Sequence, residues 1–238
     1  MALILSIETS TRVCSVALIR QGVVIGQKES NDEKSHAKLL TLFIHDLLKE
    51  NSIDFKELNA IAVSKGPGSY TGLRIGVSTA KGLCYALDIP LIAINTLQSM
   101  SYGIIRRVNS GEMQAPGFEN TILCPMIDAR RMEVYSAFYN SDGEIIRDVK
   151  AEIIDENSFS ETLDKTKMLF FGDGTEKVKS VINSPNAIFV DGINPSAMDM
   201  ATLSDRAYKN KQFEDVAYFE PFYLKDFIAT IPHKNIFI

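Results

Sequence analysis

Histidine and cysteine are scarce in this chain, with three of each in 238 residues. Cys14, Cys84 and Cys124 lie inside apolar segments and form no CxxC or metal-ligand spacing, so each reads as a buried structural thiol. An odd count without a framework points to a reducing compartment. His36 and His45 fall on one expected helix, nine positions apart. At about 100° per residue they face opposite sides. His233 lies in the C-terminal tail. A catalytic zinc or iron site needs several converging ligands, so no metal site is expected. No G-x-S-x-G elbow is present, since Gly68-Ser69-Tyr70 is not one, and the sequence gives no support to a Ser-His-Asp or Cys-His centre. His36 reads as a partly exposed helix-cap or interface residue.

Clustered basic charge is also lacking. Lys and Arg total 25 against 30 Asp and Glu, for a net charge of −5. The densest basic pairs are Arg106-Arg107 and Arg130-Arg131. Gripping a nucleic acid requires clustered cations to neutralise phosphates, so any action on RNA is expected to pass through a partner. Arg130, Arg131 and the lysines near the C-terminus are candidates for a few phosphate contacts. Long apolar runs are absent: none approaches a membrane span. The opening MALILSIETS is too short an apolar run for a signal peptide and has no basic flank. The expectation is a cytoplasmic chain with no membrane association.

What is present is an ordinary globular balance of 45% apolar and 23% charged residues, enough to bury a core. β-prone runs at 2–8, 13–20 and 23–29 read as an antiparallel meander. Asn31 or Ser35 would cap a helix over 36–50, whose Leu39, Leu40, Phe43, Ile44, Leu47 and Leu48 make a wide apolar stripe. A buried strand at 60–64 leads through Gly66-Pro67-Gly68-Ser69-Tyr70-Thr71-Gly72 into a helix over about 73–87. A strand at 89–94 and a helix from Thr96 complete a βββαβαβα order. The theme restarts at 121: strands at 121–127 and 132–139 flank Asp128-Ala129-Arg130-Arg131, and another follows over 144–153. Strand and helix then alternate to about Lys209. This predicts an α/β protein made of duplicated βββαβαβα domains, the second one trimmed. The expected divisions are 1–107, a linker at 108–120, a smaller half at 121–210, and a tail at 211–238 that packs back on the body.

Two features carry possible function. Gly66, Gly68 and Gly72 permit close turns, Pro67 stiffens them, and the loop ends at a helix N-terminus that favours anions. The loop lacks the Lys-Ser/Thr pair of a Walker motif, since Leu73-Arg74 stands there. It is either an anion cradle or a plain strand-to-helix turn. Gly72, Gly76, Ala80 and Cys84 recur every fourth residue, a stripe of small side chains on which another helix, or the chain's own sheet, can lie close.

These segments resemble the TsaB (YeaZ) family, related to the glycoprotease-like TsaD group. The resemblance lies in Ile7-Glu8-Thr9-Ser10-Thr11 with Cys14-Ser15-Val16-Ala17, in Lys65 through Gly76 running into Ala80-Lys81-Gly82, in Asp128-Ala129-Arg130 with Glu133-Val134-Tyr135, and in Gly172-Asp173-Gly174. It implies the actin/Hsp70-like (ASKHA, ribonuclease H-like) fold. It also implies a non-catalytic partner of TsaD in threonylcarbamoylation of N6 of adenosine 37 in tRNA, one that activates TsaD and helps recruit the ATPase TsaE and the tRNA. A homodimer when alone is a further implication. TsaD holds metal through a His-x-x-x-His helix, whereas here His36 is followed four residues on by Leu40. The resemblance makes the first-domain helices the partner surface, with Leu40, Ile44, Gly72, Gly76, Thr79 and Ala80 as candidates. Glu8, Thr9, Ser10, Gly66, Gly68 and Ser69 stand where ASKHA relatives cradle nucleotide phosphates. Glu8 replaces the usual Asp and a nearby glycine is absent, so the cleft reads as degenerate: no cofactor, or vestigial nucleotide binding. The rival readings are an ASKHA-type kinase or ATPase and, from legacy family labels, a peptidase.

Overall fold

The computed structural model describes residues 2–31 and 36–224. Its first sheet is built from β1 (Leu3–Glu8), β2 (Cys14–Arg20), β3 (Val23–Ser30), β4 (Ala60–Gly66) and β5 (Leu91–Asn95), in the order β3-β2-β1-β4-β5. β1, β2 and β3 run antiparallel, and β4 and β5 join parallel to β1. Every residue of β1 is buried, because helices cover both sheet faces and leave no place for an alternating pattern. One face carries α1 (His36–Glu50) and α2 (Tyr70–Leu87), which close a core over Leu5, Ile7, Val16, Leu18 and Ile61. Ser35, one of the two expected caps of α1, lies outside the described residues.

α3 (Thr96–Asn109), capped by the Asn95 side chain on Gln98 N at 3.1 Å, leads to the second sheet. This sheet comprises β6 (Thr121–Asp128), β7 (Glu133–Tyr139), β8 (Ile145–Ile153), β9 (Lys167–Phe171) and β10 (Ala187–Val190). Its order, β10-β9-β6-β7-β8, is the first sheet's topology repeated: an antiparallel meander with two parallel strands added to its first member. The trimming falls on the helices, since α4 (Ser160–Leu163) and α5 (Thr175–Val178) are single turns.

The helical stretch expected from Pro195 to Lys209 opens with a 3₁₀ turn at Ala197–Met200 and continues as α6 (Ala201–Lys209). Its packing departs from the expected division. Met200, Ala201, Leu203 and Ala207 lie against Ile4, Ile19, Ala62 and Ile92 of the first sheet, so these residues, grouped by sequence with the smaller half, pack on the larger one. α3 works the other way, with Leu97, Met100 and Ile104 in a core with Leu123, Ile127 and Phe171 of the second sheet. Asp199 fixes this exchange of helices. Its buried carboxylate sits 3.4 Å from Arg106 Nε and 3.7 Å from Arg107 Nη1. The densest basic pair of the first half is thereby engaged within the chain. Beyond α6, residues 212–224 return over the first sheet, with Glu214 N donating to Leu91 O at 2.9 Å.

Candidate functional site

The β1–β2 turn and the N-terminus of α2 meet more tightly than ordinary side chains would allow. A Cβ on Gly68 would lie 2.3 Å from Ser10 O, one on Gly72 2.0 Å from Thr9 O, and one on Gly76 2.2 Å from Thr9 Oγ1. Glycine is needed at these three places for close approach, whereas Gly66 also has a positive φ of 110° that a side chain would strain. Hydrogen bonds fasten the joint. Ser69 N donates to Ser10 O at 2.6 Å, and Thr9 Oγ1 donates to Gly72 O at 2.8 Å. Ser69 caps α2, its hydroxyl accepting from Gly72 N at 3.3 Å. The glycine loop thus holds the chain's own Thr9-Ser10 backbone, and two N–H groups that could meet a phosphate already have partners.

Glu8 ends β1 fully buried, and its Oε1 accepts from Ser10 N at 2.6 Å. Burial pushes the Glu8 carboxyl up from its ordinary pKa, and Ser10, Ser64 and Thr9 around it pull the other way. Its Oε2, like Ser10 Oγ, is buried without a hydrogen-bonding partner. Glu8, Thr9, Ser10, Gly66, Gly68 and Ser69 are therefore brought together as the sequence anticipates, as a packed joint.

On the second lobe the β6–β7 turn is tied down by a lysine. Lys177 Nζ donates to Arg131 O at 2.8 Å and Glu133 O at 2.6 Å, and pairs with the Asp128 carboxylate. Arg130 and Arg131 both have positive φ and are exposed. Asp173 Oδ1 accepts from Asp128 N at 3.0 Å. Burial raises the Asp173 pKa, against that hydrogen bond and the nearby charges of Arg12 and Lys177. Arg12, on the β1–β2 turn, is thus close enough to the second lobe to act on Asp173.

The partner-surface candidates fare differently. Leu40, Ile44, Gly72, Gly76 and Ala80 are all buried, and Cys84 is 2% exposed. The small-residue stripe faces Thr9 and the chain's own sheet, so these residues cannot present a surface. A fourfold spacing shows that something lies close to the helix but does not say whose backbone it is. Thr79 is half-buried and spends its hydroxyl on Ile75 O at 2.9 Å. The outward strip of α2 is instead Thr71, Arg74, Ser78, Gly82 and Tyr85, with Tyr85 87% exposed. Its signal in the sequence was the polar and small residues between the apolar ones. On α1, Leu42 is 51% exposed. His36 is buried rather than partly exposed, its Nε2 lying 2.8 Å from Arg12 O. His45 stands exposed beside Asp46. Among the described residues no group of three or more His, Cys, Asp or Glu is placed to hold a metal ion, and no helix is long and apolar enough to cross a membrane. His233 and the lysines beyond Leu224 lie outside the described residues.

Two five-stranded lobes of the same topology, each lending a helix to the other's core, define an actin/Hsp70-like (ASKHA) α/β protein. The family model of TsaD, tRNA N6-adenosine threonylcarbamoyltransferase, matches residues 24–233. The tRNA threonylcarbamoyladenosine biosynthesis protein TsaB of Escherichia coli is 30% identical, the match covering 98% of this chain and 99% of that one. TsaB of Bacillus subtilis is 30% identical over 93% of each. The solved structure of YeaZ from Pseudomonas aeruginosa superposes with a TM-score of 0.76 at 27% identity, covering 94% of this chain and all of that one. The chain belongs to the TsaB (YeaZ) family.

Proposed function

We propose that this protein is the non-catalytic partner of a TsaD homologue in threonylcarbamoylation of N6 of adenosine 37 in tRNA. The filled cradle carries this reading. The loop that would hold a nucleotide's phosphates is bonded to Thr9 and Ser10 and packed so closely on them that a Cβ on Gly68 or Gly72 would come within 2.0–2.3 Å, so in this reading the fold is used as a scaffold. Near full-length similarity to proteins named for threonylcarbamoyladenosine biosynthesis supports the pathway.

TsaD itself is homologous to this chain, since its family model spans residues 24–233. Two chains of one fold can meet through corresponding faces, an arrangement close to a two-fold isologous interface. The docking face in this reading is the outward strip of α2, Thr71, Arg74, Ser78, Gly82 and Tyr85, beside Leu42 of α1. The protein acts by binding free energy: it favours the catalytically competent state of TsaD by binding that state more tightly. Recruitment of TsaE and tRNA proceeds through the assembled complex, in the cytoplasm, and the same face serves a homodimer when TsaD is absent. Arg130 and Arg131, both exposed, and the lysines near the C-terminus add a few phosphate contacts in this reading.

A nucleotide-binding reading is favoured only by the unpartnered Glu8 Oε2 and Ser10 Oγ. Calorimetry of the isolated chain with ATP and magnesium decides it, micromolar binding being the result that would revive it. The partnership is tested by titrating the chain with the TsaD homologue of the same genome. A stoichiometric complex is expected, and none at tens of micromolar would refute the pairing.

A further inference from the structure

Three hairpin turns of the chain carry left-handed backbone, and two of them use glycine for it. The β2–β3 turn has Gln21 followed by Gly22 at φ 77°, and the β7–β8 turn has Gly143 at φ 81°. The β6–β7 turn instead has Arg130 at φ 70° and Arg131 at φ 51°. They are the one pair of successive non-glycine residues with positive φ among the described residues. A Cβ in this region crowds the following carbonyl, so both arginines cost stability that glycine would not. A turn that needed only to be soluble is satisfied by Asn-Gly or Asp-Gly.

The backbone around the two arginines is built to hold this shape. Ala129 N donates to Glu133 O at 3.0 Å, and Glu133 N to Arg130 O at 3.2 Å. Arg130 N donates to Asp128 Oδ1 at 2.7 Å, and Lys177 of α5 holds Arg131 O and Glu133 O. Neither guanidinium takes part in these bonds. The arginines that hold ion pairs among the described residues are Arg106, Arg107 and Arg147. Beneath the turn, Asp128 pairs with Lys177, and Asp173 meets the charges of Arg12 and Lys177. The acids there are balanced by other cations, and Arg130 and Arg131 stand exposed.

Strained backbone that its surroundings over-determine points to a function. Two guanidiniums on a tied-down turn suit phosphate, which each can grip through two parallel N–H bonds. The net charge of −5 disfavours RNA at a distance. Exposed charges more than about 8 Å apart are largely screened at physiological salt, so the local pair decides what binds at the turn. Two such contacts are too few to hold RNA alone, and the turn acts on RNA that an assembled complex has already engaged.

We propose that the β6–β7 turn is a phosphate-gripping element for the RNA backbone, with Arg130 and Arg131 on phosphodiester oxygens and the left-handed backbone aiming them. The proposal rests on the pairing reading, which brings the tRNA, and adds that the strain of this turn is kept for binding it.

The test uses the full-length chain in complex with the TsaD homologue. Fluorescence anisotropy follows cognate tRNA between about 50 and 200 mM salt, ATP is titrated in parallel, and Tm is measured for the chain. One variant is Arg130→Gly with Arg131→Gly, the other Arg130→Lys with Arg131→Lys. The glycine pair relieves the backbone, so its Tm should rise by about 2–4 °C. Its tRNA affinity should nonetheless fall about tenfold, and the slope of log K against log salt should shrink by about 1–2. The lysine pair keeps the charge and should keep the wild-type slope, while ATP affinity should be the same in all three. Unchanged tRNA affinity and slope in the glycine pair overturn the proposal. Loss of ATP affinity with tRNA binding intact overturns it in favour of a nucleotide's phosphates. A lower Tm in the glycine pair shows the arginines to be structural and removes the argument from strain. A wild-type chain that forms no complex refutes the pairing reading and this proposal together, whereas the other outcomes refute the turn alone.

Discussion

Replacing Gly72 by alanine should loosen the joint between α2 and the β1–β2 turn, although Gly→Ala inside a helix ordinarily stabilises it by about 0.5–1 kcal/mol. The added Cβ would lie 2.0 Å from Thr9 O and 3.3 Å from Thr9 C, both backbone atoms of the adjoining turn. Overpacking of this kind costs about 1–3 kcal/mol. Moving the turn away also strains the Thr9 Oγ1 to Gly72 O bond, worth about 0.5–1.5 kcal/mol. Set against the propensity gain, the net is a loss of roughly 0.5–4 kcal/mol, centred near 2, or about 4–8 °C in Tm at that centre for a chain of this size. Gly82→Ala is the internal control: the same helix, with nothing within 4 Å of the added Cβ, and an expected gain of up to about 1 kcal/mol. Urea unfolding of both variants beside wild type gives the two signs. If Gly72→Ala matches wild type or rises with Gly82→Ala, the turn does not press on α2, and the filled-cradle argument fails.

Three further outcomes follow from other parts of the molecule. Burial raises the Asp199 pKa from 3.8 to about 6, against the pull of Arg107 and Arg106. An Asp with a raised folded-state pKa adds stability below about pH 4 and loses it as pH rises to about 6. The stability of wild type relative to Asp199→Asn should therefore fall by up to about 3 kcal/mol across that window in urea titrations, and a flat difference would contradict the assignment. Tyr85→Asp should abolish binding to the TsaD homologue at unchanged Tm, because Tyr85 is 87% exposed; intact binding would remove the α2 strip from the interface. Burial lifts the Cys14 thiol to about 11, Cys84 to about 12 and Cys124 higher still. No thiol should react with a disulfide reagent at pH 8 until the chain unfolds, and a fast-reacting native thiol would show that one of them is reachable.

The meanders, the glycine loop and the start of α2 are legible in the sequence because each is a local signal: alternation, turn residues, helical period. The duplication is legible too, since both halves open with the same strand pattern. What the sequence hides is long-range. Gly76 looks like an interface residue until Thr9, far off along the chain, is found against it. His36 looks exposed at a helix start until Arg12 O is found beside its ring. Arg106 and Arg107 look like a free basic pair until Asp199 reaches them from the far side of the second sheet's sequence. α6 carries an amphipathic pattern that fits either lobe, and only packing assigns it to the first. The returning segment 212–224 has no periodicity at all, because single backbone bonds and Lys81 hold it rather than a ladder or a helix.

The central claim is that this chain promotes tRNA modification without performing it. The direct measurement is the yield of threonylcarbamoyladenosine, by mass spectrometry of digested tRNA, in a reaction containing the TsaD and TsaE homologues, threonylcarbamoyl-adenylate and ATP, with and without this protein. The account predicts modification that depends on the chain, persists with His36 and His45 replaced by alanine, and disappears with Tyr85→Asp. Full modification without the chain, or modification by the chain with TsaD left out, would contradict it.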